Sequence, residues 1–287
     1  MPNRIAIIGA GNMGGAMFRG LIESFEKDQI SICDKNQEKL DALNIGNVDI
    51  EQTLSNANTV IFAVKPQSFE ECISGIETNL SDKLVISIMA GISLEGLQNR
   101  TKSKRVIRSM PNICSQVGEG ITAWIASQDV SDDDKEITKK IFEAVGRQVE
   151  IDNEEMIDTI SATTGAGPAY FFLLCELLAK NLEKLGFSED DAKTLSEQTF
   201  VGSAALLASK KSLSTRCAFL EHQPMADVER QHNSLEESSL SAKELRESVT
   251  SKGGITQAAL ETFKEAGLNQ IIEKAITAAI KRSKELN

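Results

Sequence analysis

Three glycines near the start of the chain, spaced Gly9-x-Gly11-x-x-Gly14, carry the first chemistry that the sequence offers. They follow the apolar run at 5–8 and lead into a helical pattern over 13–25. In this strand–turn–helix context the spacing builds a diphosphate site. Gly9 permits the tight turn, Gly11 lets the main chain approach a pyrophosphate, and Gly14 lets the helix pack on the strand. The helix start then presents N–H groups and the positive end of its dipole to the phosphates. Asp34 ends the next apolar run, twenty residues after Gly14. A carboxylate there accepts hydrogen bonds from both hydroxyls of an adenine ribose and repels a 2′-phosphate, which favours NADH over NADPH. Lys35 beside it works the other way. As a helix N-cap, Asp34 suits either cofactor.

Other candidates sit at the ends of later apolar runs. Ala63, Val64, Lys65 and Pro66 close the run at 60–64, and Pro66 suits the first turn of a helix. Ala90 and Gly91 close the run at 84–88, where small residues let a nicotinamide ribose approach. Arg108-Ser109-Met110-Pro111-Asn112 follows the next run. Two glycine turns open onto helical text further along, at 163–170 (TTGAGPAY) and 250–256 (TSKGGIT). Helix starts of this kind hold small anions such as a carboxylate.

These residues need a scaffold. Up to about residue 150, apolar runs (5–8, 30–33, 60–64, 84–88, 105–110, 121–125) alternate with amphipathic stretches. That alternation predicts a doubly wound parallel sheet of Rossmann type, with helices on both faces and ligands at the carboxyl ends of the strands. Beyond residue 152 only helical patterns remain, so the expected division is a nucleotide-binding domain over 1–155 and an all-helical domain over 156–287. The helix from Pro168 is apolar nearly all round (Phe171, Phe172, Leu173, Leu174, Leu177, Leu178), which predicts burial in a subunit interface. Residues 212–238 are polar and interrupt helical text. The tripeptide Ser-Leu-Ser stands at 212–214 and again at 239–241, so the segment reads as an insertion. Both histidines, His222 and His232, fall within it.

The chain has 287 residues and a net charge of -11, which argues against nucleic acid or an anionic membrane as partner. No apolar run reaches the ~18 residues that a bilayer span takes. Five cysteines without CxxC spacing predict free thiols in a reduced, cytoplasmic compartment, and the N-terminal strand leaves no room for a signal peptide. No group of His, Cys, Asp and Glu has metal spacing, so no metal is expected. With the histidines in the insertion, the usual imidazole acid of hydroxy-acid dehydrogenases is missing. Reduction of an imine fits, because a protonated C=N is already electrophilic.

The segments GAGNMG (9–14), AVKPQ (63–67), RSMPN (108–112), GAGPAYFF (165–172) and LRESVTSKGGITQAALE (245–261), in this order, resemble the pyrroline-5-carboxylate reductase family. The resemblance covers the chain outside 212–238. It implies reduction of 1-pyrroline-5-carboxylate to L-proline with NADPH or NADH, the last step of proline synthesis. It places Asn12 and Met13 close to the cofactor, the 63–66 and 90–91 segments along it, and Asn112 near the nicotinamide. It assigns the substrate carboxylate to Ser251, Gly253, Gly254 and Thr256, with the Thr256 hydroxyl facing the imine nitrogen. It also implies a homodimer interlocked through the C-terminal helices, and rings of dimers. Departures are Lys252 in place of the family's usual proline, Ile255 in place of a second threonine, and Ile113-Cys114 in place of Thr-Pro.

Two other readings compete. A β-hydroxyacid dehydrogenase of the same plan needs a lysine followed by asparagine one helical turn on, and neither Lys180 nor Lys184 has one. A sensor that binds cofactor without turnover is the third.

Overall fold

The computed structural model describes residues 3–46, 48–209 and 240–286. The 212–238 insertion, with both histidines, lies outside them. The chain forms two compact units, Met1–Tyr170 with Lys274–Asn287, and Phe171–Glu273.

The first unit is built on one seven-stranded sheet of order β2-β1-β3-β4-β5-β6-β7. Its strands are β1 (Ile5–Ile8), β2 (Ile30–Cys33), β3 (Thr59–Phe62), β4 (Leu84–Ser87), β5 (Val106–Met110), β6 (Gly120–Ala126) and β7 (Gly146–Glu150). The pairs from β2 through β5 are parallel, in the register Ile5↔Ile30, Ile5↔Thr59, Thr59↔Leu84 and Val85↔Val106. The expected doubly wound parallel sheet is therefore present. It carries one addition: β6 pairs antiparallel with β5, and β7 runs parallel to β6. Between β5 and β6 lies only a short connection, with a 3-10 turn at Ile113–Val117. A parallel crossover takes about a dozen residues or more, so the chain reverses instead.

Side-chain alternation along the strands fills two cores. Ile5, Ile7, Ile32, Ile61, Ile86, Ile107 and Trp124 pack on one face with Met17 and Leu21 of α1 (Asn12–Ser24) and Ile141 and Phe142 of α6 (Asp132–Glu143). Ala6, Ile8, Val60, Phe62, Val85 and Val106 point the other way. They meet Leu54 of α3 (Ile50–Ser55), Phe69 of α4 (Phe69–Ser74) and Leu97 of α5 (Leu94–Thr101). Central parallel strands buried on both faces read as continuous apolar runs, which is why the sequence betrayed them. β7 (GRQVE) lies at the sheet edge with mostly exposed side chains, so it carries no such run.

Among the described residues after β7, the regular elements are all helical. They are α7 (Met156–Ile160), α8 (Gly167–Lys184), α9 (Glu189–Ala208), α10 (Ala242–Ser248), α11 (Ile255–Glu265) and α12 (Leu268–Leu286). The helix start expected at 163–168 is not one: α7 continues through a π-helical turn at Ser161–Gly165 into α8. The wide turn is closed by the Ala166 N–H donating to the Ser161 carbonyl at 2.9 Å. Pro168 has no N–H for the Thr164 carbonyl four residues back, and the ladder loosens around that gap. The Ala166 N–H is thus already engaged and not free to hold an anion. The whole helix Met156–Lys184 is, by length and composition, apolar enough to cross a bilayer. Thr163, Glu176 and Lys180 interrupt it, so it holds no continuous apolar run of the expected length.

Candidate cofactor and substrate sites

β2 and β3 lie on opposite sides of β1, so the winding of the sheet reverses between β1 and β3. A crevice opens outside the carboxyl ends of strands at such a point, and ligands bind there. The loops that leave β1 and β3 are the predicted Gly9–Gly14 turn and the Ala63–Pro66 segment. They meet closely. A Cβ on Gly9, whose φ is +108°, would lie 2.7 Å from the Ala63 carbonyl oxygen. A Cβ on Gly14 would lie 1.9 Å from the Gly9 carbonyl oxygen and 3.0 Å from the Ala63 Cβ. Gly11 is different: nothing lies within 4 Å of its added Cβ. Gly11 is the N-cap of α1, in extended conformation and with no side-chain cap. The first N–H groups of α1, from Asn12 and Met13, therefore have no acceptor within their own helix. Tight packing at Gly9 and Gly14 with open space at Gly11 is what a bound diphosphate requires, so the residues fit a dinucleotide.

Lys65 is exposed and precedes the 3-10 turn Pro66–Ser68, with Pro66 at its first position as expected. Val64 is half-buried against the second core. Ala90 is exposed and Gly91 half-buried, in the turn after β4.

Asp34 is not a helix cap. The cap of α2 (Gln37–Asp41) is Asn36, whose side chain accepts the Glu38 N–H. Asp34 instead ties β2 to the glycine turn. Its Oδ2 accepts the Ala10 N–H at 2.7 Å and its Oδ1 accepts the Asn36 N–H at 2.9 Å. The Lys39 ammonium reaches both oxygens, at 3.2 and 3.0 Å. Burial pushes the Asp34 carboxyl up, but the Asn36 and Ala10 N–H groups and Lys39 outweigh it and hold the group below its usual range. Lys35 pairs with Glu71, both well exposed. Sequence reasoning named Lys35 and missed Lys39, five residues after Asp34, because no motif marks it.

Asn112 is buried, and its amide is engaged at both ends. Nδ2 donates to the Thr164 carbonyl at 3.2 Å, the carbonyl that Pro168 leaves without a helical donor. Oδ1 accepts the Ile121 N–H at 3.3 Å. Two residues earlier, the Met110 side chain packs where Gly165 leaves room: a Cβ there would lie 3.2 Å from Met110 Cε. Arg108, two residues earlier again, is buried with its guanidinium 2.8 Å from Glu154 Oε1 and 4.0 Å from Asp158 Oδ1. One face of β5 thus grips the segment that runs into the π turn.

The second predicted site lies in the other unit. Gly254 is the N-cap of α11, without a side-chain cap. A Cβ on Gly254 would lie 2.2 Å from Ser251 Oγ, so the turn closes tightly on that hydroxyl. The Gly254 N–H donates to the Ser251 carbonyl at 3.0 Å, and the Gly253 N–H to Gln257 Oε1 at 2.7 Å. The donors without helical acceptors are those of Ile255, Thr256 and Gln257. Gln257 was not singled out from the sequence, although a glutamine at the third helical position is a known cap. Among the described residues, no group of three or more His, Cys, Asp or Glu side chains could hold a metal ion.

Comparison with known proteins agrees with this geometry. Residues 154–286 match the family described as pyrroline-5-carboxylate reductase dimerisation. Residues 4–91 match the one described as NADP oxidoreductase, coenzyme F420-dependent. The pyrroline-5-carboxylate reductase of Haemophilus influenzae is 35% identical over 98% of this chain and 97% of its own. A solved pyrroline-5-carboxylate reductase from Coxiella burnetii is 32% identical, with a TM-score of 0.78, over 100% of this chain and 99% of its own. The Plasmodium falciparum pyrroline carboxylate reductase, solved with NADP bound, is 26% identical with a TM-score of 0.77, over 99% and 98%. Glycine turn, switch-point crevice and helical half all fall inside these full-length matches, and the chain belongs to the pyrroline-5-carboxylate reductase family.

Proposed function

We propose that this protein reduces the cyclic imine 1-pyrroline-5-carboxylate to L-proline, using NADPH or NADH. The observation that carries the reading is the close-packed glycine turn at the β1/β3 crevice, in a chain similar end to end to reductases of that name. Gly9, Gly11 and Gly14, with the N–H groups of Asn12 and Met13, hold the diphosphate. Ala63, Val64, Lys65, Pro66, Ala90 and Gly91 line the path from adenosine to nicotinamide. When bound, the reduced nicotinamide supplies a hydride to the imine carbon. The chain supplies position. Ser251, Gly253, Gly254 and the first turn of α11 bind the substrate carboxylate through main-chain and hydroxyl donors. The Thr256 hydroxyl faces the ring nitrogen and orients or protonates it. Asn112 serves the site indirectly, by holding the Thr164 carbonyl.

The division into a nucleotide domain over 1–155 and a helical domain over 156–287 belongs to the same proposal, as does a homodimer built on the helical half. The free thiols of Cys33, Cys72, Cys114 and Cys175 fit a cytoplasmic setting. The test has two arms with the full chain: oxidation of NADPH and of NADH by 1-pyrroline-5-carboxylate, followed by loss of nicotinamide absorbance, and reduction of NADP+ and NAD+ by hydroxy acids, followed by its gain. Turnover with the imine alone is expected. Turnover with hydroxy acids, or cofactor binding without any turnover, would overturn the assignment.

A further inference from the structure

We propose that Lys39 sets the cofactor selectivity of this site: it cancels the charge of Asp34 and so admits a dinucleotide carrying a phosphate on its adenosine ribose. The inference rests on the cofactor reading above and concerns the corner where β2 meets the glycine turn. An aspartate in this place ordinarily excludes that phosphate by like charge. Here both carboxylate oxygens are already committed, Oδ2 to the Ala10 N–H and Oδ1 to the Asn36 N–H. The Asp34 side chain is 10% exposed while that of Lys39, in contact with it, is 44% exposed. The charge this corner presents to solvent is therefore the ammonium. Lys39 is also easily recruited. The Lys39 end of the pair is open to solvent, which weakens it, and Asp34 keeps its two main-chain donors if Lys39 turns toward an incoming phosphate. Lys35 is held in a separate, exposed pair with Glu71, so Asp34 and Glu71 are balanced by Lys35 and Lys39. Removal of Lys39 alone leaves this corner with a net negative charge.

Calorimetric titration of the full chain tests this without turnover, with NADPH, NADH, and the fragments 2′,5′-ADP and ADP as probes. In Lys39→Gln the ratio of NADPH to NADH affinity falls by about tenfold or more, and the ratio of 2′,5′-ADP to ADP falls with it. Lys39→Arg keeps both ratios, because the charge is retained. Asp34→Asn raises them, because the repelling charge is gone while an amide oxygen still accepts from Ala10. Unchanged ratios in Lys39→Gln, or an equal loss for both cofactors, would overturn the proposal and leave the cofactor site standing. A wild-type chain that binds neither dinucleotide would overturn both.

Discussion

Gly11 and Gly14 stand three residues apart and answer to different neighbours. A methyl group on Gly14 would strike the Gly9 carbonyl, so Gly14→Ala must push α1 off β1 and β3. Forced overpacking of this kind costs about 1–3 kcal/mol. Gly14→Ala is therefore expected to unfold at lower urea concentration and to bind dinucleotide weakly. Gly11→Ala meets no protein atom and keeps an ordinary backbone conformation. Its urea midpoint should match the wild type, while dinucleotide affinity by calorimetry falls about tenfold or more, since the methyl occupies the approach of the pyrophosphate. An unchanged affinity would remove the diphosphate from this turn. Thr256→Ala tests the other half of the site. Loss of one hydrogen bond to a charged group corresponds to about a ten- to hundredfold loss in the hydride-transfer rate, with Thr256→Ser restoring it. Stopped-flow rates unchanged in Thr256→Ala would reject the hydroxyl's role. The glycine turn was legible in the sequence because its spacing states a backbone requirement, whereas Thr256 was named through the family resemblance. Lys39 and Gln257 were not legible, since each acts through a contact that forms only once a neighbouring turn is folded. The hydrogen bond from Asn112 to the Thr164 carbonyl was not legible, because the two residues lie 52 apart in the chain.

At the scale of elements, the parallel strands were readable because burial on both faces leaves an unbroken apolar run. The reversal into β6 was not, because an apolar run carries no direction. The π turn escaped for a related reason: Gly165-Ala166-Gly167-Pro168 looks like a helix start, and only the Ser161 carbonyl in register with the Ala166 N–H shows that the helix never stopped. The grip of β5 on this segment depends on Arg108. Its partner Glu154 also accepts the Leu94 N–H at 2.8 Å, and Asp158 accepts the Ser283 hydroxyl of α12 at 2.9 Å. Four elements thus converge on one buried cation. Glu154→Ala leaves that cation with the more distant Asp158. The expected loss is about 2 kcal/mol, moderated by the partial exposure of Glu154. Urea denaturation measures it, and Ser283→Ala, which touches only a neutral hydroxyl, should cost less. Equal midpoints for Glu154→Ala and wild type would show that the cluster does not hold these elements together.

For the whole molecule, the two halves bury their apolar residues to very different degrees. Trp124, Phe62 and Phe142 are fully buried in the sheet-bearing unit, whereas Phe171 and Phe172 of α8 are 63% and 65% exposed and Ile255 at the start of α11 is 93% exposed. A single chain of this composition does not leave a row of aromatic side chains in water, since patches of that extent mark contact sites. The helix Met156–Lys184 admits two occupants for that surface, a bilayer or a second copy of the chain. Residues 154–286 match a dimerisation family, which favours the copy. An isologous interface puts the same patch on both partners, so one substitution acts twice. Phe172→Glu is accordingly expected to give a monomer by light scattering at concentrations where the wild type is a dimer or larger. It should also lower the thermal midpoint, because the exposed helices lose their cover. The wild type should remain in the supernatant when phospholipid vesicles are sedimented. Sedimentation with the vesicles, together with a monomeric wild type, would assign the apolar helix to a membrane instead.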